Sequence, residues 1–175
     1  MTVIRPLRLD DAAELAELFT RNRAFMAPYE PPREEHFYTV AGQERAIEDL
    51  LRAREARTNV PMAILGADGA IAGRLNLNNI IRGPFLSASL GYWVSQHVNG
   101  QGLASRAAAE AVRIAFGAEG LHRLEAGTLV DNIASQRVLA KNGFERFGLA
   151  PRYLRIAGRW QDHVLFQRIN DDLAD

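Results

Sequence analysis

The segment Asn99-Gly100-Gln101-Gly102 constrains the fold more than any other feature of the sequence, because it joins a strand pattern to a helix pattern. The strand pattern covers Phe85–Val94, the helix pattern covers Ala104–Phe116, and another strand pattern follows at Leu124–Val130. Strand, helix and strand in this order predict a right-handed crossover that makes the two strands parallel neighbours. Ligands of α/β sheets bind at the carboxyl ends of such strands, beside the start of the helix.

The other strand patterns predict antiparallel pairs around this crossover. They cover Thr2–Leu7, Val60–Leu65, Ala70–Asn78, Tyr153–Ile156 and His163–Arg168. The first two meander strands are joined by Asp68-Gly69, a dipeptide typical of tight hairpin turns because its residues tolerate positive φ. The chain is therefore predicted to form a mixed α/β sheet of about seven strands, mostly antiparallel and flanked by helices.

Three more helices are predicted outside the crossover. The first begins at Asp10 or Asp11, with Asp11 and Glu14 as a capping box, the second ends near Arg57, and the third covers Ile133–Lys141. The proline-broken segment Asn22–Pro32, between the first two helices, is predicted to be irregular.

Composition excludes several classes of function. A length of 175 residues predicts one domain, spanning residues 1–175. The 21 basic and 21 acidic side chains give zero net charge, so no nucleic-acid-binding face is expected. The absence of cysteine excludes disulfides, thiolate metal sites and cysteine nucleophiles. Because no long apolar segment or signal pattern is present, we expect a cytoplasmic protein with no membrane partner, and its oligomeric state stays open.

The glycine loop is suited to binding an anion. The first N–H groups of the helix after Gly102 lack helical partners and carry partial positive charge, so they favour a phosphate or a pyrophosphate. The loop is not a P-loop, since no Gly-Lys-Ser/Thr follows, and Ser105 replaces the third glycine of a G-x-G-x-x-G pattern. A glycine turn without a ligand explains the pattern equally well.

A second candidate segment begins the helix Ile133–Lys141. Asn132 is a good N-cap residue, and Ser135 lies in the first turn of that helix. For both residues two interpretations stay open, a purely structural role at the helix start or a role in a site.

The two segments together resemble one known family. GYWVSQHVNGQGLAS is similar to the acyl-CoA pyrophosphate loop of the GNAT (GCN5-related) N-acetyltransferases, and DNIASQRVLAKNGF to their asparagine-containing helix. The resemblance extends over nearly the whole chain and is nearest to the RimJ/RimL branch of ribosomal-protein alanine N-acetyltransferases, especially the RimJ type. Further similar segments are NRAFMAPYEPPREEHFYT, RGPF and YLRIAGRWQDHVL.

The resemblance implies a GNAT-like fold in which a splayed pair of strands holds acetyl-CoA, whose acetyl group is transferred to an amine. By this match, backbone groups of Trp93 and Val94 bind the pantetheine and the acetyl carbonyl, and Asn132 binds the pantetheine arm. Ser135 is implied to protonate or stabilise the departing thiolate. The pyrophosphate is implied to lie on Gly100, Gln101, Gly102, Leu103, Ala104 and Ser105, next to Asn99.

Three positions depart from the pattern of the family. Asn99 stands where glutamine or arginine is usual, which removes a side-chain contact but leaves the backbone cradle. Leu139 stands where many relatives have a tyrosine acid, so Ser135 is the remaining candidate for that role. Leu154 stands where RimL-like relatives have a glutamate base. The proton acceptor therefore stays open among Glu30, Glu34, Glu125 and Tyr153.

The acceptor is expected to be an N-terminal α-amine. Direct attack on the thioester is the expected mechanism, since no cysteine can form an acyl-enzyme. At pH 7 roughly 10% of an α-amine is neutral but only about 0.04% of a lysine, so an enzyme without a strong base favours the α-amine. The resemblance implies the same acceptor, the N-terminus of an alanine- or serine-starting protein of the ribosomal type.

The segment Asn22–Tyr38 is expected to form the acceptor wall, with Phe25, Tyr29 and Glu30 as substrate-binding candidates. A simple lid over the core is the alternative interpretation of its aromatic residues. The histidines have no paired metal-ligand spacing, so we predict no metal ion.

Two other functions fit the sequence. An acetyltransferase for a small amine, such as an antibiotic or a polyamine, would use the same cofactor loop, and Glu30, Glu34 and Glu35 favour it. A non-catalytic acyl-CoA binding module is favoured by Asn99 and the missing glutamate base, whereas Ser135 argues against it.

Overall fold

The computed structural model describes residues 2–173. Its strands are β1 (Ile4–Pro6), β2 (Val60–Leu65), β3 (Ile71–Ile81), β4 (Ser87–Val94), β5 (Arg123–Leu129), β6 (Glu145–Ile156) and β7 (Arg159–Ile169). Its α-helices are α1 (Ala12–Met26), α2 (Val40–Glu55), α3 (Leu103–Arg113) and α4 (Ile133–Lys141). A π-helical segment, Ile114–Ala118, extends α3.

The strands form one sheet in the order β1-β2-β3-β4-β5-β7-β6. Neighbouring strands are antiparallel except β4 and β5, which are parallel. The prediction of a mixed, mostly antiparallel sheet flanked by helices is confirmed, and α3 is the crossover between the two parallel strands.

The parallel strands β4 and β5 pair over a short distance. The pairing joins Ser87–Ser89 to Arg123–Glu125, whereas Leu90–Val94 and Ala126–Leu129 are not paired with each other. We call the space between these two unpaired stretches the gap. The glycine loop leaves β4 at this end, so it lies at the mouth of the gap.

Two apolar cores pack helices against opposite faces of the sheet. On one face, Ala107 and Ala108 of α3 are fully buried in a cluster that includes Leu75 of β3. On the other face, Leu15 of α1 and Ile47 of α2 belong to the second cluster. Because small side chains allow α3 to approach the sheet closely, packing determines where its N-terminus points.

The predicted capping box at the start of α1 is wrong. Asp11 accepts a hydrogen bond from the backbone N–H of Arg8 and forms an ion pair of 2.7 Å with Arg5. Glu14 accepts a hydrogen bond from the backbone N–H of Ile71 on β3. Asp11 is therefore bound by residues just before the helix, and Glu14 by a residue of a distant strand.

The prediction of an irregular segment at Asn22–Pro32 is wrong in its first part, because α1 continues to Met26. The buried Asn22 side chain donates 2.8 Å hydrogen bonds to the carbonyl of Leu18 and to the hydroxyl of Ser95. These bonds satisfy a polar side chain that by itself favours turns over helices.

The prediction for β6 covers only its last part. The strand begins at Glu145, and nearly all of its residues are exposed or half-buried. An edge strand with little burial has no alternation of apolar and polar residues, which is the signal that identifies strands in sequence. Among residues 2–173, no helix is long and apolar enough to cross a membrane.

Candidate active site

The glycine loop presents bare backbone at the mouth of the gap. Gly100 has a φ of 76° and Gly102 a φ of 74°, values in the left-handed region that favours glycine. A Cβ added at Gly100 would meet no atom within 4 Å, and one added at Gly102 would meet only an Arg106 nitrogen at 3.8 Å. The start of α3 is therefore open to a ligand, as an anion site at a helix N-terminus requires.

Residues around the loop tie it to the neighbouring elements. The side chain of Arg106 donates to the carbonyl of Gln101 at 3.3 Å, and that of Gln101 donates to the carbonyl of His97 at 3.2 Å. The Ser105 hydroxyl accepts a 3.2 Å hydrogen bond from Asn142, at the end of α4. The side chain of Ser105 is thus engaged with α4, and its backbone N–H is the part left for the predicted anion.

Trp93 and Val94 lie on the β4 side of the gap. They pair on their other side with Arg74 and Gly73 of β3. A Cβ at Gly73 would lie 2.2 Å from the carbonyl oxygen of Trp93, so glycine is required for this approach of the strands. The Trp93 ring packs against Phe19 of α1 with 4.8 Å between ring centroids. Because the backbone N–H of Ser95 donates to Ala72 on β3, the peptide groups of Trp93, two residues away, also point to β3, and those of Val94 point into the gap.

Asn132 and Ser135 lie together at the start of α4. The Asn132 side-chain oxygen accepts a 3.1 Å hydrogen bond from the backbone N–H of Ser135, which caps the helix. Asn132 therefore has the structural role of an N-cap residue. Its NH₂ group takes no part in this hydrogen bond.

The Ser135 hydroxyl has a partner that sequence reasoning missed. The hydroxyl of Tyr92, on β4, lies 2.8 Å from Ser135 Oγ and 3.3 Å from the Ser135 carbonyl oxygen. Burial raises the pKa of Tyr92 to about 12, so the phenol keeps its proton at neutral pH. This pair joins β4 to the helix that follows β5, and it therefore lies beside the gap.

The candidates for the acceptor wall lie where α1 ends. Phe25 is half-buried, with its ring centroid 6.2 Å from that of the exposed Tyr29. The Glu30 side chain is only 17% exposed and lies 3.7 Å from Arg33. Burial raises the pKa of Glu30, and Arg33 partly opposes this effect. An aromatic cluster of Phe19, Phe37 and Trp93 connects this region to β4.

The candidate proton acceptors do not converge. Glu34 is exposed beside His36, and Glu125 forms a 2.7 Å ion pair with Arg123. Tyr153 is exposed, and its ring centroid lies 5.3 Å from that of the buried His163.

The surroundings of His163 define its chemistry. Its Nδ1 lies 3.1 Å from the carbonyl oxygen of Gln161, which can only accept, so Nδ1 carries a proton and Nε2 is left as an acceptor in the neutral ring. Its Cδ2 would lie 3.6 Å from a Cβ at Gly127, on the unpaired part of β5. His163 therefore contacts the unpaired part of β5 from the β7 side, and sequence spacing gave it no role.

Leu139 and Leu154 are the two positions at which the family pattern has a tyrosine acid or a glutamate base. Leu139 is fully buried in the core with α3, and Leu154 is 42% exposed on β6. Neither position supplies an ionisable group to the gap. Within residues 2–173, no group of three His, Asp or Glu side chains is arranged to hold a metal ion.

Comparison with known proteins identifies the class of this fold and site. The sequence matches the family model of the acetyltransferase (GNAT) domain over residues 2–145. The chain belongs to the GNAT acetyltransferase family, so the expected fold and enzyme class are confirmed. The interpretation as a non-catalytic module is set aside.

Several individual members of the family are similar to this chain over nearly its whole length. A Bacillus subtilis (strain 168) protein, "Probable N-acetyltransferase YjcK", is 35% identical over 170 residues, which cover 97% of this chain and 94% of that protein. Ribosomal-protein-S5-alanine acetyltransferase from Vibrio fischeri has a TM-score of 0.93 and 33% identity, covering 98% of this chain and 94% of that chain. Mycobacterium smegmatis RimJ, in complex with CoA-disulfide, has a TM-score of 0.92 and 31% identity, covering 98% and 83% of the two chains.

Proposed function

We propose that the protein transfers the acetyl group of acetyl-CoA to the N-terminal α-amine of an alanine- or serine-starting protein, such as a ribosomal protein. The observation that carries this proposal is the end of β4–β5 pairing at Ser89 and Glu125, with the glycine loop at the mouth of the resulting gap. The names of the Vibrio fischeri and Mycobacterium smegmatis relatives support the acceptor and the cofactor, respectively. A ribosomal substrate also implies a cytoplasmic location.

The residues around the gap fit acetyl-CoA. The loop from Gly100 to Ser105 offers backbone N–H groups without a covering side chain, which suits a pyrophosphate. The gap-facing backbone of Val94, next to Trp93, is available for the amides of the pantetheine arm and for the acetyl carbonyl. The NH₂ group of Asn132 is a further donor to this arm, because its oxygen is bound to Ser135. When bound, acetyl-CoA supplies an activated thioester.

The pair of Ser135 and Tyr92 supports a role in release of the thiolate. The hydroxyls of Tyr92 and Ser135 lie 2.8 Å apart, and either can be the donor; with Tyr92 as the donor, the single proton of the serine hydroxyl is free to point into the gap. A donor aimed at the developing negative charge on sulfur accelerates the reaction without needing to bind the substrate more tightly. The neutral amine attacks the thioester carbonyl directly and loses a proton to water. The C–S bond then breaks, and the departing thiolate, stabilised by the Ser135 hydroxyl, takes a proton from water.

The charge of the acceptor region favours a protein N-terminus over a polyamine. Glu35 pairs with Arg23 at the surface, and Glu30 pairs with Arg33. A second cation, Arg74, lies close enough to Glu30 to affect its pKa. Two of the three acidic residues that favoured a polycationic acceptor are therefore paired with arginines, whereas Glu34 lies beside His36, so the small-amine alternative loses part of its support.

The experiment that tests the proposal is a thiol-release assay with purified protein and acetyl-CoA. Because the chain has no cysteine, the protein gives no background in this assay. An alanine-starting peptide should release CoA, whereas the same peptide with a blocked N-terminus and an internal lysine should not. Mass spectrometry should locate the acetyl group on the α-amine. Release with polyamines but not with peptides, or acetylation mainly of lysine, would overturn the proposed acceptor.

A further inference from the structure

Two polar groups of β3 are buried without a hydrogen-bond partner close to the gap. They are Nε of Arg74 and the side-chain oxygen of Asn76, both with no partner among residues 2–173. Because the two residues are two apart on one strand, their side chains lie on the same face, roughly 7 Å from each other. This face carries Trp93 opposite Arg74 and Gly91 opposite Asn76.

The environment of Arg74 leaves its guanidinium open. It lies over the Phe19 ring, 5.7 Å from the centroid, and Glu30, whose charge acts on Arg74, forms its ion pair with Arg33 instead. Burial lowers the pKa of Arg74 to about 10, and the positive charge of Arg33 adds to the effect. An arginine held in this way lacks the anion or carbonyl that ordinarily compensates a buried cation.

Comparison with Arg82 shows that the fold can satisfy a buried guanidinium. Arg82 also has a buried, unpaired Nε, but one of its terminal nitrogens bonds the Glu119 carbonyl and the other lies 2.7 Å from the Glu119 carboxylate. No terminal nitrogen of Arg74 has such a partner within residues 2–173. The lack of hydrogen-bond partners is therefore a feature of Arg74, next to β4, and is not shared by Arg82.

The unpaired oxygen of Asn76 contrasts with that of Asn78, two residues further along β3. The side-chain oxygen of Asn78 accepts a 3.2 Å hydrogen bond from Asn59. The oxygen of Asn76 accepts none, and its cross-strand neighbour Gly91 has no side chain to cover it. The strand thus offers one cationic donor and one neutral acceptor, both facing the side of the sheet on which α1 ends.

We propose that Arg74 and Asn76 bind the main chain of the first residues of the acceptor peptide. Arg74 donates to a peptide carbonyl oxygen, and the Asn76 oxygen accepts from a following amide N–H. Neighbouring strands lie about 4.8 Å apart, so β3 is one strand away from the β4 side of the gap. In an N-terminal residue the carbonyl carbon is separated from the reacting nitrogen by one atom, which is compatible with an amine at the gap and a carbonyl near Arg74.

This inference rests on the proposed function and adds to it a source of specificity. An amine without a carbonyl leaves Arg74 and Asn76 unpaired, and a site built around hydrogen bonds discriminates strongly against ligands that lack them. The protein should therefore prefer a peptide N-terminus to a simple alkylamine of equal basicity.

The test compares an alanine-starting peptide with propylamine as acceptors for the wild-type protein, Arg74→Met and Asn76→Ala. Methionine has a similar length but no donor. For the peptide, kcat/KM should fall about 10²-fold in Arg74→Met and about 10-fold in Asn76→Ala, as expected for lost hydrogen bonds to a charged and to a neutral group. For propylamine, kcat/KM should change less than about twofold, and the Kd of acetyl-CoA should stay constant.

A matched control is Arg21→Met, on an exposed position of α1, which should leave both acceptors unaffected. Melting temperatures show whether each variant folds. Arg74→Met should melt no lower than the wild type without substrate, because an unpaired buried cation is removed. If it does not fold, Arg74→Lys tests the same point, since lysine keeps the charge but loses the Nε donor.

The outcomes separate this inference from the proposed function. A wild-type protein that does not acetylate the peptide refutes the proposed function and the inference with it. A wild-type protein that acetylates the peptide, with unchanged kinetics in Arg74→Met or with equal losses for peptide and propylamine, overturns the inference alone.

Discussion

Removal of the two hydroxyls beside the gap tests the mechanism most directly. Ser135→Ala deletes the hydroxyl that we propose stabilises the leaving thiolate, and Tyr92→Phe deletes the hydroxyl that lies 2.8 Å from it. One well-placed donor to a developing charge is typically worth a few kcal/mol, so Ser135→Ala should lower kcat by about 10²-fold. Because the effect exists mainly in the transition state, the Kd of acetyl-CoA should change little.

Tyr92→Phe should have a smaller effect that depends on the serine. Loss of one neutral hydrogen bond corresponds to about 1 kcal/mol, which is a five- to tenfold decrease in kcat. Burial raises the pKa of Tyr92 to about 12, so the phenol stays protonated at neutral pH and does not act as a base. Its proposed role is to orient the Ser135 hydroxyl. In the Ser135→Ala background, Tyr92→Phe should therefore cost almost nothing, and the double-mutant cycle should give a coupling energy of about 1 kcal/mol.

The assay is steady-state thiol release at saturating peptide and acetyl-CoA, with calorimetry for cofactor affinity and melting temperatures for folding. Undiminished kcat in a folded Ser135→Ala variant would remove the serine from the mechanism. Equal losses from Tyr92→Phe in both backgrounds would show that the tyrosine acts independently of Ser135, which contradicts the orientation argument.

Three further predictions concern the cofactor site and the acceptor wall. Gly102→Glu should nearly abolish acetyl-CoA binding in calorimetry, because a carboxylate enters an anion site at a position with a φ of 74°. Asn132→Ala should weaken acetyl-CoA binding and lower the free energy of unfolding by about 1 kcal/mol through loss of the cap on α4; unchanged values of both would deny Asn132 either role. Burial raises the pKa of Glu30 above its unfolded value, so its ionisation opposes folding as the pH rises through the folded pKa. Glu30→Gln should therefore raise the melting temperature near neutral pH more than in acid below the usual carboxyl pKa, and an equal change at both would contradict this.

The sequence predicted most accurately those helices and strands whose ends are marked by capping or turn residues. β2 and α4 have the predicted bounds, Val60–Leu65 and Ile133–Lys141. The start of α4 follows from the cap at Asn132, and its end from Gly143, whose φ of 73° suits glycine after a helix. The same reasoning placed the crossover and therefore the loop at its start.

Sequence could not predict features that depend on distant partners. The capping box at Asp11 and Glu14 is locally plausible, but Arg5, Arg8 and Ile71 compete for the same carboxylates in the folded chain. The pairing of Tyr92 with Ser135 is of this kind as well, since it joins residues 43 positions apart and depends on how α4 lies beside β4. The resemblance to the GNAT family points to Ser135 as a candidate but contains no information about the tyrosine that lies beside it.

The buried polar residues of this protein differ in how fully the fold satisfies them. Asn22 has partners for both ends of its amide, with donors to Leu18 and Ser95 and a 2.9 Å acceptor bond from Gln96. The buried amide oxygen of Asn76 has no hydrogen-bond partner among residues 2–173, and neither has the buried Nε of its neighbour Arg74. Each open group lowers the stability of the protein without substrate, so packing alone gives no reason for it. Unsatisfied polar groups are expected in binding sites, because a ligand can form the hydrogen bonds that the folded protein leaves unmade.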